Sequence, residues 1–143
     1  MPFERRLVDQ LSASGYRGKG AAVYIRSFET AGLKEIRGMT DMRIVQLIDN
    51  PLNTPVPNGT PRNAPYDFIV AGSKRTYADM ITPVGLKEIA TYADVVSPYK
   101  EVLIPRTASN ELGTPTLVIA DAHAAGLADP ARRPGAMGVA TAC

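Results

Sequence analysis

Apolar positions along residues 3–127 switch repeatedly between a helical and a strand period. Phe3, Leu7, Val8 and Leu11 lie on one face of an amphipathic helix, which the Gly15–Gly20 stretch breaks. Ala21 to Ile25 is a short apolar run rich in β-formers and reads as a buried strand. Ser27 is the candidate N-cap of the next helix, with Glu29 in its first turn complementing the helix dipole. That helix turns Leu33 and Ile36 inward and stops at Gly38, and Ile44 to Ile48 forms a second strand. The five prolines between Asn50 and Pro65 remove backbone donors and exclude regular helix.

Two further helices open with the same pair, Thr82-Pro83 and Thr114-Pro115, a threonine cap followed by proline at the first helical position. Leu86, Ile89, Ala90 and Ala93 form a buried stripe on the first, and Gly126 stops the second. Between them Ala93 to Val96 reads as a strand and Pro98 to Gly113 as a long loop. The predicted order is α-β-α-β, loop, α-β, loop, α, which argues for βα units and a parallel sheet.

The 143 residues are 45% hydrophobic and 21% charged, which places the chain among globular rather than disordered proteins. A net charge of +2, scattered among acids, lacks the clustered basic face of a nucleic-acid or membrane-surface binder. No apolar run approaches the roughly 18–20 residues of a membrane span. The N-terminal MPFERRLVDQL lacks the apolar core of a signal peptide. Cys143 is the only cysteine, so no internal disulfide forms.

Three segments carry a resemblance. TPVGLKEIATYA (Thr82 to Ala93), DVVSPYKEVLIPR after it, and LVIADAHAAGL (Leu117 to Leu127) resemble the C-terminal part of the glycerophosphodiester phosphodiesterases, bacterial periplasmic or secreted type. The family's text there is close to TPEGLKEIATYADGIGPWK, followed by an Ala-Asp-Ala-His helix ending in Gly-Leu. YIRSFETAGLKEIRGMTDMRIVQLID (Tyr24 to Asp49) is similar to the family's strand–helix–strand text. The resemblance implies an incomplete TIM (β/α)8 barrel, about three βα units with long βα loops. Residues 1–127 are then the C-terminal portion of the barrel domain, and 128–143 an irregular tail where the family has its last strand. A whole barrel needs about 250 residues.

The implied activity is that of a phosphoric diester hydrolase in lipid and glycerol metabolism. Glycerophosphodiesters are split into glycerol 3-phosphate and an alcohol by two acid–base histidines and a divalent cation, Ca2+ or Mg2+. The family's His-Arg-Gly, Glu-x-Asp and second histidine have no counterpart in this chain. No catalytic or metal residue is therefore carried over, no cation is expected on this chain, and the fragment is expected to be inactive alone. The alternative is a non-catalytic α/β interaction domain that binds a partner or complements another chain. Localisation by resemblance is periplasmic or secreted.

Pocket lining does carry over, because barrel enzymes work where strands end and βα loops begin. Those positions are Arg26, Ser27 and Phe28, then Gln46 to Asp49, then Ser97 to Lys100. Arg26, where the family has Gln, either meets phosphate bidentately or is a solvated loop charge. Phe28 is either substrate wall or helix packing, and Lys100 either matches the family's lysine or is a surface lysine. His123, the only histidine, sits among alanines on a helix outside the barrel and diverges from Asp121, so it reads as surface or structural. Asn58-Gly59-Thr60 is turn chemistry despite its glycosylation pattern, and Gly15–Gly20 follows a helix rather than a strand, unlike a phosphate loop. An incomplete barrel further leaves Val23, Ile25, Val45, Leu47 and Val95 exposed in expectation, with self-association as the consequence.

Overall fold

The computed structural model describes residues 2–50 and 63–128. Most of the proline-rich excursion, the Asn58-Gly59-Thr60 turn, and the tail from residue 129 lie outside the described residues. Helix α1 (Phe3–Ala13) leads through the glycine turn to β1 (Tyr24–Ser27), α2 (Thr30–Arg37) and β2 (Arg43–Ile48). Two short helices follow, α3 (Tyr66–Val70) and α4 (Tyr77–Met80), then α5 (Pro83–Ile89), β3 (Val95–Pro98), α6 (Lys100–Leu103) and α7 (Val118–Ala124).

The strands form a parallel sheet in chain order, β1-β2-β3, with Tyr24 beside Arg43 and Val45 beside Val95. Side chains alternate between the two faces of a strand, so this register sorts them without ambiguity. Ile25, Ile44, Gln46, Ile48 and Val96 share one face. Their apolar members join Leu33, Ile36, Met80, Leu86, Ile89 and Ala122 in a single core. All the helices contributing to that core therefore cover the same face, as right-handed crossovers in sequential order require. The other face carries Tyr24, Arg26, Arg43, Val45, Leu47, Val95 and Ser97. After α7 the chain returns parallel to β3, where Ala128 bridges Val95 and its N–H donates to the Asp94 carbonyl at 2.9 Å.

Several boundaries differ from the pattern-based reading, each because a hydrogen bond overrides propensity. The first strand starts at Tyr24 rather than Ala21, since pairing begins where β2 offers Arg43. The third starts at Val95 because Ala93 still closes the turn of α5, donating to the Ile89 carbonyl at 2.9 Å. Helix α2 begins at Thr30 with Glu29 as N-cap, while Ser27 stays in the strand and its Oγ accepts from the Glu29 N–H. Thr82-Pro83 opens α5 as expected, Thr82 accepting from the Gly85 N–H at 3.1 Å. Thr114-Pro115 opens nothing. Thr116 is tied to α6 through the Leu103 and Val102 carbonyls, so α7 begins only at Val118. The loop expected from Pro98 to Gly113 holds α6 and a turn closed by the Arg106–Leu112 bridge.

Exposure of the strand residues is also corrected. Ile25, Val45 and Val95 are buried, at 6%, 6% and 4% exposure, and Val23 and Leu47 are half-buried. Ile25 belongs to the helix-packed core, and Val23 packs against its margin. On α1 it is Val8 that is buried, with Leu7 and Leu11 beside it, while Phe3 is largely exposed.

Gly85 shows how tightly α5 is seated. A Cβ there would lie 2.3 Å from the Asp79 carbonyl oxygen and 2.5 Å from that of Met80. Both are backbone atoms, so the α4–α5 junction itself must move. Gly85→Ala is expected to destabilise the chain by roughly 1–3 kcal/mol, read as a lower urea midpoint.

An ion network links α2 to α5. Glu88 accepts from Arg75 at 2.7 Å and from Lys34 at 3.1 Å. The Arg75 hydrogen bond, aided by Lys34, holds the Glu88 carboxyl below its usual range. A lowered folded pKa gives stability that is present above the unfolded value and lost as pH falls through the folded one. Glu88→Gln should therefore lower stability at neutral and alkaline pH and flatten the fall on the acid side, read as urea midpoints across a pH series.

Candidate functional site at the strand ends

The carboxyl ends of the strands are organised by two carboxylates that cap each other's helices. Asp67, in the first turn of α3, accepts from the Thr30 N–H, the Thr30 hydroxyl and the Ala31 N–H at 2.7–2.8 Å. Those groups form the start of α2, whose first N–H groups have no partner within the helix. In return Glu29, the N-cap of α2, accepts from the N–H groups of Tyr66 at 3.2 Å and Asp67 at 2.6 Å, which open α3. Each acid sits where the positive end of the other helix's dipole favours it. The pair closes the excursion that begins after β2.

Beneath this clamp lies Gln46, fully buried. Its Nε2 donates to the Ser27, Phe28 and Leu47 carbonyls at 3.0–3.3 Å, and its Oε1 accepts from the Tyr92 hydroxyl at 2.8 Å. The placement of Gln46 in a pocket wall is corrected by register. It shares a face with Ile44 and Ile48, so its amide points into the helix-packed core and holds the end of β1. Burial pushes the Tyr92 phenol well above its ordinary range, which keeps it a neutral donor to Gln46.

Tyr77 on α4 meets Phe28 edge-on, with ring centroids 6.3 Å apart and planes inclined at 70°. Burial raises the Tyr77 phenol pKa, and the fields of Asp49, Glu29 and Asp67 raise it further. The strand-end region is thus negative on its helix side. Phe28 is both packing and surface: it touches Tyr77 yet remains 42% exposed.

The remaining candidates occupy separate places. Ser27 has its Oγ engaged by the Glu29 N–H at 3.0 Å. Arg26 is exposed, on the face of β1 opposite the helix-packed core. Lys100 is exposed at the start of α6, beyond β3. Two strand spacings, about 10 Å, lie between β1 and β3, and no hydrogen bond joins Arg26, Phe28 or Lys100 to one another. His123 is exposed on α7. Sequence reasoning missed Asp67, Tyr77 and Tyr92. Asp67 carries a local signal, an acid in a first turn, but its partner is 37 residues away.

A scan against protein-family models finds no match to this chain. A search of the curated proteins finds no significant match.

Among the described residues no group of three or more His, Cys, Asp and Glu side chains could hold a metal ion. Glu29 and Asp67 are occupied by backbone N–H groups, and Asp49 accepts from the Asn50 N–H at 2.7 Å. These residues do not fit the divalent cation that the resemblance implies for the parent enzyme. Among the described residues no helix is long and apolar enough to cross a membrane.

Removing a capping side chain costs about 0.5–2 kcal/mol. Asp67→Ala should lie at the upper end of that span, because three donors lose their acceptor together. Asp67→Asn keeps one carbonyl oxygen and should recover part of the loss. Urea unfolding of the three proteins checks the order wild type, Asn, Ala.

Proposed function

We propose that residues 1–127 form the C-terminal sector of a glycerophosphodiester phosphodiesterase-type (β/α)8 barrel. In this reading the sector builds the barrel's frame and part of its substrate wall, and the acid–base histidines and cation ligands come from a preceding half. The parent reaction is hydrolysis of a glycerophosphodiester to glycerol 3-phosphate and an alcohol.

One observation supports the architecture above all: the strands run parallel in strict chain order, with the core-forming helices on one face only. A doubly wound sheet reverses its strand order and places helices on both faces. A sector of a barrel does neither. The start of a fourth parallel pairing at Ala128 extends the same order. The substrate assignment rests on the sequence resemblance of Tyr24–Asp49 and Thr82–Leu127.

In the proposed barrel Arg26 and Val45 face the lumen, Gln46 fixes the rim of β1 from behind, and Phe28 forms wall beside the mouth. None of these side chains is a proton-transfer pair, so the sector contributes binding rather than bond cleavage. The edge of β1, unpaired among the described residues, is the surface that self-association would use.

Purified 1–143 is expected to leave glycerophosphocholine intact with Ca2+ or Mg2+ at a rate indistinguishable from buffer. Co-expression with the N-terminal half of a family member should yield a co-purifying complex with lower hydrophobic-dye binding than the chain alone. Metal-dependent turnover by 1–143 itself, or a monodisperse monomer that ignores the added half and binds no dye, would overturn the reading.

A further inference from the structure

We propose that α3 is a hinged flap at the carboxyl end of β1, latched by the Glu29–Asp67 pair and opening as one unit. Alone among the described helices, α3 buries none of its residues, and Tyr66 and Val70 are 64% and 69% exposed. Of its side chains Phe68 packs against the core, with the Arg75 guanidinium 5.2 Å from its ring centroid. A helix of five residues is far too short to persist without a dock. That dock is largely polar. The N–H groups of Thr30 and Ala31 donate to Asp67, and those of Tyr66 and Asp67 donate to Glu29. The first N–H groups of a helix have no partner within it. Each carboxylate sits on one segment and serves the other, so neither cap survives their separation. When α3 leaves, all four donors lose their acceptors together, and the Thr30 hydroxyl is freed at the end of β1.

The flap has its own neck and its own pivot. The Tyr77 N–H donates to the Asn63 carbonyl at 2.8 Å, which ties the two ends of the segment together, and Pro65 is fully buried at the base. A loop closed at its neck is a compact unit, so its departure leaves the sheet pairing in place. At the far end Gly72 takes a φ of +67°, a conformation that costs a side chain about 1–2 kcal/mol. The Gly72 and Ser73 N–H groups close α3 there, donating to the Ile69 and Phe68 carbonyls at 3.1 and 2.9 Å. Just beyond, Arg75 is held by Glu88 of α5, and the Thr76 N–H by Asp79 of α4. The moving part is therefore residues 66–73, between a buried proline and an anchored arginine. Units with few buried apolar contacts are the ones that open locally, ahead of the core.

The flap stands on these contacts; that it gates a barrel mouth rests on the function proposed above. Amide hydrogen exchange of 15N-labelled chain 1–143, with no ligand present, tests the flap itself. The N–H groups of Thr30, Ala31, Tyr66 and Asp67 should share one protection factor, well below that of Ala90 and Ala93 at the end of α5. Glu29→Gln should speed exchange roughly 2- to 30-fold, and by the same factor at Thr30 and Ala31, whose acceptor is Asp67, as at Tyr66 and Asp67. Gly72→Ala leaves the carboxylates untouched and meets open space, so it strains only the closing turn. It should speed all four amides by one common factor of roughly 5–30. Ala90 and Ala93 should keep their protection in both variants. Acceleration confined to Tyr66 and Asp67 means two independent caps and overturns the latch. Four amides as slow as Ala90 and Ala93, or variants that speed those two equally, mean that α3 leaves only with the whole fold and overturn the flap. Failure of the co-expressed N-terminal half to bind removes the gate and leaves the flap, so the two readings fail separately.

Discussion

Asp94 stands at the foot of β3, and the sheet and its surrounding segments meet there. Its Oδ2 accepts from the Ile44 N–H at 3.0 Å and pairs with Arg37 of α2, and its Oδ1 faces Lys19 of the glycine turn at 3.5 Å. Its own N–H donates to the Ile44 carbonyl, and its carbonyl receives the N–H of Ala128. One residue therefore joins the start of β2, the end of α2, the turn before β1 and the returning chain after α7. The pair is part-buried, with Asp94 and Arg37 side chains 23% and 21% exposed, so losing either partner strands a charge that water solvates only in part. Arg37 adds to this by donating to the Tyr92 and Thr40 carbonyls, which would otherwise lack partners at the ends of α5 and α2.

The opposite pole is built by different means. There the chain leaves each strand for a helix, and the exposed N–H groups of α2 and α3 are satisfied by carboxylates from each other's segments. Gln46 then ties the β1 rim to Tyr92 from within the core. The foot is thus held by one hydrogen-bonded ion pair and the rim by side-chain clamps.

Much of the frame was legible in the sequence because it is periodic and local. The stripe of Leu86 and Ile89, the inward Leu33 and Ile36, and the Thr82-Pro83 start all appear where spacing put them. The same logic failed for Thr114-Pro115, where the identical dipeptide is held by the Val102 and Leu103 carbonyls before a helix can begin. It also missed α3 and α4, whose few residues show no period; α4 is set by the reciprocal capping of Thr76 and Asp79.

The sequence by itself determined the alternation of helix and strand, the parallel sheet, and the residues that reach the strand ends. Each of these follows from hydrophobic period and from neighbours a few positions apart. Only the tertiary structure decided which way those residues face. A strand shows its two sides to opposite surroundings, so a single step of register puts Gln46 in the helix-packed core and Arg26 and Arg43 on the opposite face. Asp67 and Glu29 depended on it equally: their partners are 37 and 38 residues away, and no local pattern encodes which helix end a distant carboxylate will find.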